Sequence, residues 1–216
     1  MKSKAKAVII CLVWSFAWAE VGAMNGACVG RERTERDTYL SRNLHKIESG
    51  RSEFLREEAL YVAMLPDEER LNCCSDLSIR AFNYFETGET PADPLRTQPA
   101  ASTRMLEELK TKYGADRVKA KGSFIGEEMG FERLIEEVNA MKIGDHAIVF
   151  YGWAGKEYGH FTNAFRGARW VTHLDLQHGY DVYLDVIKYR DFPEYLDVNM
   201  SLGKFLEGKF GFLKLK

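Results

Sequence analysis

The period of the apolar residues changes once along this chain, at Gly144, and that change restricts the fold more than any other feature. Upstream the spacing is helical. Residues 52–65 carry Phe54, Leu55, Ala59, Tyr61, Val62 and Leu65 at approximately helical intervals, and Pro66 ends the pattern. In LNCCSDLSIRAFNYFETG (71–88), Leu77, Ala81, Phe82 and Phe85 repeat at three to four residues and Gly88 supplies the stop. STRMLEELKTKYG (102–114) reads as a short helix capped by Ser102 or Thr103. GFERLIEEVNAMKIG (130–144) reads as another, closed by Gly144. Downstream, DHAIVFYGW (145–153), GHFTNAFRG (159–167) and ARWVTHLDLQ (168–177) read as three strands joined by short glycine-containing turns, and VYLDVIKYR (182–190) as a fourth. Helices followed by an antiparallel sheet make an α+β fold. Residues 31–50 are highly charged and read as a solvated helix, and ETPADPLRTQPAA (89–101), with three prolines, reads as a loop. No repeat, low-complexity linker or second domain is visible.

The N-terminus follows other rules. Lys2, Lys4 and Lys6 precede the apolar run AVIICLVWSFAWA (7–19), which ends on Ala17-Trp18-Ala19. A basic segment, an apolar run of about 13 residues and a small-x-small end describe a secretory signal peptide cleaved near Ala19. The run is shorter than the roughly 20 residues a spanning helix needs. The expectation is therefore an exported protein, periplasmic or secreted, with no membrane association beyond this segment. Losing Lys2, Lys4 and Lys6 with no acid moves the formal charge from −2 to −5, which gives no electrostatic reason for nucleic-acid binding.

Export makes the cysteines informative. Cys28, Cys73 and Cys74 would remain, and an odd number leaves at least one thiol unpaired. Cys73 and Cys74 are adjacent at the start of a helix. There, unpaired backbone N–H groups and the positive end of the helix dipole favour a thiolate and can hold an oxyanion. The residue types leave open a vicinal disulfide, half a metal site with His178, buried thiols, or a nucleophile with a bystander. Metal ligation fits poorly, because adjacent cysteines lack the two-to-four-residue gap that lets both thiolates face one ion. A nucleophile needs a base and the base an orienting group. Among His45, His146, His160, His173 and His178, His160 opens a strand after a glycine, while His146 and His173 read as structural. In a hairpin symmetric about Arg166-Gly167, residue 160 lies near residue 174, which brings Asp175 within reach of the His160 ring.

Leu71-Asn72-Cys73 opening a helix, Gly159-His160 opening a strand and Leu174-Asp175-Leu176-Gln177-His178-Gly179 closing the next resemble the papain-fold toxin and effector domains of bacteria, a group that includes glutamine deamidases. The resemblance spans about residues 70–185. It implies a papain-like cysteine hydrolase fold; with the signal peptide read over 1–19, the expected organisation is a helical N-terminal extension over 20–65 and a catalytic domain over 66–216. It also implies Cys73 as nucleophile, His160 as base and Asp175 as the orienting group. Asn72 and Gln177 would be supporting polar groups, and Cys74 a neighbour filling space at the helix start. No cofactor and no metal are expected. The implied activity is a toxin or effector that deamidates glutamine on a target protein, with a possible cognate immunity protein. A cysteine protease, a peptidoglycan amidase acting on wall peptides and, less so, a transglutaminase would use the same three residues. A non-catalytic exported binding protein on the same scaffold is the reading from another class, and it would show no reactive thiol.

Overall fold

The computed structural model describes residues 50–51, 53–97, 100–153, 159–167, 171–177 and 207–216, with 180–184 as backbone. The expected signal peptide, the charged segment 31–49, His45, His178 and residues 185–190 lie outside the described residues.

The helical elements are α1 (residues 53–64), α2 (Asp67–Arg70), α3 (Cys74–Thr87), α4 (Ser102–Tyr113) and α5 (Phe131–Asn139). Strands β1 (Val118–Gly122), β2 (His146–Gly152), β3 (Gly159–Arg166), β4 (Val171–Asp175), β5 (Tyr180–Leu184) and β6 (Lys209–Leu215) form one antiparallel sheet in the order β1-β6-β2-β3-β4-β5. The architecture is α+β. β1 and β6 were not legible beforehand. β1 is VKAKG, which shows no apolar alternation strong enough to read, and β6 lies at the chain end yet inserts between β1 and β2.

Alternation along the strands sorts the core onto two faces of the sheet. Ala147, Val149, Ala164, Val171, Phe210 and Phe212 pack with Phe131, Leu134 and Val138 of α5. On the opposite face, Ile148, Phe161, Leu213 and Leu215 pack with Ile79 and Phe82 of α3 and with Met105 and Leu109 of α4. Phe165 and Leu174 share that face with Leu77, Ala81 and Phe85 of α3. Being covered on both sides, β2 can carry the nearly unbroken apolar run Ala147–Tyr151.

Residues 50–65 pack into this same body. Phe54 and Val62 join the cluster of Cys73, Leu77 and Phe85, and the Phe54 ring stacks on Tyr84 at 4.3 Å. Glu58 receives two hydrogen bonds from Arg80 of α3, at 2.6 and 2.8 Å. Arg80 also donates to the Asp93 and Pro91 carbonyls, tying the proline-rich loop to α3. No helix among the described residues is long and apolar enough to cross a membrane.

Three local expectations differ from the structure. α4 is preceded by Ala101 with no side-chain cap, because Ser102 Oγ instead donates to the Ser123 carbonyl at 2.9 Å. α5 ends at Asn139, five residues before Gly144. Met141 turns into the core, the Lys142 N–H is taken by the Asp145 carboxylate at 3.1 Å, and Gly144, at φ 87°, forms the turn into β2. The β3–β4 hairpin closes on the pair Arg166↔Val171, so it centres two residues later than Arg166-Gly167.

Candidate active site

The site forms where α3 begins, β3 begins and β4 ends. Asn72 closes the turn after α2 by donating its side-chain N–H to the Glu68 carbonyl at 2.9 Å. The backbone then passes through Cys73 (φ −96°, ψ −2°), whose carbonyl accepts the first intrahelical bond of α3, from Leu77 at 3.0 Å. The N–H groups of residues 74–76 therefore have no partner within the helix and point from its N-terminus. Asn163 Nδ2 of β3 donates to the Ser78 carbonyl at 3.0 Å, fastening the helix to the strand that carries His160.

The two thiols have unlike surroundings. Cys73 is 0% exposed and packs with Leu77, Leu174 and Leu176, and its thiol donates to the Arg70 carbonyl at 3.1 Å. Burial first and then the nearby charge of Cys74 push the Cys73 thiol up to about 12, with lesser help from Asp76 and Asp175 and against the opposing effect of its own backbone hydrogen bond. A thiol so placed stays protonated at neutral pH. Cys74 is 9% exposed, and its thiol lies close enough to His160 to help raise the imidazole.

His160 is buried, and its Nε2 lies 2.8 Å from Asp175 Oδ2. With Nε2 engaged there, Nδ1 is the ring nitrogen available to Cys74. Burial opposes the imidazolium, but the hydrogen bonds to Asp175 and Cys74 and the attraction of both charges outweigh it. His160 rises from 6.5 to about 9. The Tyr151 ring stands edge-on to the imidazole at 5.4 Å, as expected for cross-strand partners in β2 and β3.

Register explains why Asp175 reaches His160. Asn163 pairs with Leu174, so continuing the ladder by one step sets Asp175 opposite Thr162. Residues 160 and 162 share a face of β3, which makes His160 and Asp175 diagonal neighbours rather than the near-opposite pair a tighter hairpin would give.

A thiol at a helix N-terminus, beside a histidine that a carboxylate orients, is the arrangement of a cysteine hydrolase. Residues 72–180, just over half of the chain, match the family described as papain fold toxin 1, glutamine deamidase. The chain belongs to that family. This papain-fold toxin is thus a hydrolase that acts on amide groups. No curated protein matches it.

Of the residues singled out in the toxin's sequence, His160, Asp175 and Cys74 come together. Cys73 adjoins them but turns its sulfur to the Arg70 carbonyl, and Asn72 turns back to α2. Gln177 lies in the turn after β4. Both histidines read as structural are buried. His146 lies edge-on to Phe82 at 4.4 Å and 3.3 Å from Glu86 Oε2. His173 is lowered to about 3, by burial first and by His160, with Asp175 opposing, so it stays neutral beside the charged pair.

Tyr151 and Asn163 escaped the sequence reading, since an aromatic or an asparagine within a strand carries no catalytic signal. So did the loop that packs against the start of α3. Asp76 accepts the Arg96 backbone N–H at 2.8 Å and its Nε at 2.7 Å, and Ser75 Oγ accepts the Ala100 N–H at 3.2 Å. These bonds hold the loop against the start of α3. A cavity of about 280 Å³ opens there, lined by Ser75, Ile79, Leu95, Arg96 and Arg104 among others. Among the described residues no group of three His, Cys, Asp or Glu is arranged to hold a metal ion.

Proposed function

We propose that this toxin deamidates glutamine on a target protein, with Cys74 as nucleophile, His160 as base and acid, and Asp175 holding His160. The observation that carries the reading is the position of His160, hydrogen-bonded to Asp175 and near enough to Cys74 for that thiol to raise the imidazole as well. Cys73, which the family pattern suggests, has the opposite environment: enclosed, bonded to a carbonyl and held protonated.

The Cys74 thiolate adds to the glutamine δ-carbon. Free N–H groups at the start of α3 face the oxyanion that forms. The His160 imidazolium gives its proton to the amide nitrogen, the C–N bond breaks and ammonia leaves. His160, now neutral, takes a proton from water as the water oxygen adds to the thioester carbon. The C–S bond breaks, glutamate departs, and the thiolate–imidazolium pair returns. Asp175 stabilises the imidazolium in both half-reactions. The basic and apolar start of the chain supports export, so the reading places the target outside the cytoplasm of the producing cell. A cognate immunity protein would then protect the producer or its kin.

The test is ammonia release and a mass gain of about one dalton on target proteins, with wild type, Cys74→Ala, Cys73→Ala and His160→Ala. Cys74→Ala and His160→Ala should abolish turnover while Cys73→Ala retains it. Turnover that survives in Cys74→Ala and is lost in Cys73→Ala would return the nucleophile to Cys73.

A further inference from the structure

Asp76 is the acid of the first turn of α3, and Cys73, the residue that opens the helix, supplies no side-chain cap. An acid three residues after the cap ordinarily reaches back to the unpartnered N–H groups of the helix start. Asp76 turns to Arg96 instead. Arg96 Nε donates to Asp76 Oδ1 at 2.7 Å, and the Arg96 backbone N–H donates to Oδ2 at 2.8 Å. The remaining guanidinium nitrogens bond Glu108 of α4 at 2.7 and 3.1 Å, which anchors the clamp on another helix. Arg96 is half exposed, whereas the carboxylate it holds is buried. The charge of Asp76 reaches the cysteine pair: it helps to raise Cys73, and Cys74 lies between the two in the chain.

We propose that Arg96 is a positioning residue that holds the Asp76 carboxylate away from the α3 N-terminus and so leaves the helix-start N–H groups to the Cys74 thiolate and the oxyanion. The inference rests on the reading of Cys74 as nucleophile. Thiolate, oxyanion and carboxylate all take the same few donors. A carboxylate tethered in the same turn would occupy them before substrate arrives, and its charge would oppose the thiolate. Other charges do not replace the clamp. Arg80 also faces Asp76 but donates to Glu58, Pro91 and Asp93, and Arg104 lines the same cavity. Among the described residues, Arg96 is the one that bonds the carboxylate. Beyond Asp76, the charged groups near the cysteines are His160 and Asp175.

The experiment follows iodoacetamide alkylation of Cys74 in the full chain across pH, mapped by mass spectrometry. The variants are Arg96→Gln, Arg96→Lys and each of these combined with Asp76→Ala. Arg96→Gln should slow alkylation at neutral pH about 10-fold, with the rates converging in alkali, where the thiol is ionised in either protein. It should lower kcat for ammonia release from benzyloxycarbonyl-glutaminylglycine further, about 100-fold, because the oxyanion loses a donor as well. Arg96→Lys keeps a cation beside the buried carboxylate and so tests the clamp even if Arg96→Gln does not fold; it should slow alkylation about threefold. Adding Asp76→Ala should restore each variant to within about twofold of wild type, although the tie between loop and helix is lost in both, which a merely structural role would not allow. Arg96→Gln alkylating like wild type, or double variants as slow as the single ones, would overturn the role of Arg96 and leave the nucleophile reading intact. A wild type whose Cys74 reacts as an ordinary thiol would overturn the reading of Cys74 as nucleophile, and the role of Arg96 falls with it.

Discussion

Replacing Asp175 with Asn tests the electrostatics of the site through stability as well as through activity. In the folded protein His160 is raised from its ordinary 6.5 to about 9, although it is only 4% exposed. A folded-state value above the unfolded one means that protonated His160 contributes stability fully below pH 6.5, and that this contribution is lost as pH rises through 9. At about 1.4 kcal/mol per pH unit, the rise corresponds to about 3 kcal/mol. Wild type should therefore lose stability of that order between pH 6.5 and 9. The Asn side chain keeps the shape and removes the charge. Burial then dominates, the imidazolium is no longer held, and the slope in this window should flatten in Asp175→Asn. Urea unfolding at half-unit pH steps under reducing conditions measures both curves. Cys73 interferes little, since its raised thiol withdraws stability only from about pH 9 upward. A flat wild-type curve, or a variant as steep as wild type, would refute the proposed balance between burial and the Asp175 bond.

Three further outcomes follow from the packing. Cys73→Ala should cost about 1 kcal/mol of stability from the small void it leaves, with kcat within about threefold of wild type, measured by urea unfolding and ammonia release. Phe54→Ala should cost about 3–5 kcal/mol, because the ring is buried and stacked on Tyr84; a loss below 1 kcal/mol would mean that residues 50–65 are dispensable to the body of the fold. His173, lowered to about 3, contributes stability that is present above pH 6.5 and lost as pH falls toward 3, so His173→Phe should flatten the acid side of the stability curve and leave the alkaline side unchanged.

The sequence by itself determined the elements whose periodicity is local. Apolar spacing marked α1, α3, α4 and α5, and the runs of β2, β3 and β4 marked strands, because one covered face imposes a period of 3.6 or 2 wherever it occurs. It also named His160, Asp175 and the cysteine pair, since a thiol at a helix start and a histidine at a strand start are visible as residue types in order. What it could not reach depends on distance in space. β6 completes the sheet from the far end of the chain, and β1, with lysines at alternate positions, is a strand only because β6 pairs with it. The hairpin centre fell two residues from expectation, because the closing pair rather than the glycine sets the register. The contrast between the two thiols is the sharpest case. Neighbours on one helix differ by about 100° in direction, so one sulfur turns toward a carbonyl among leucines while the next meets His160. That rotation is invisible in the letters Asn-Cys-Cys, and the packing of α3 against β3 and β4 decides it.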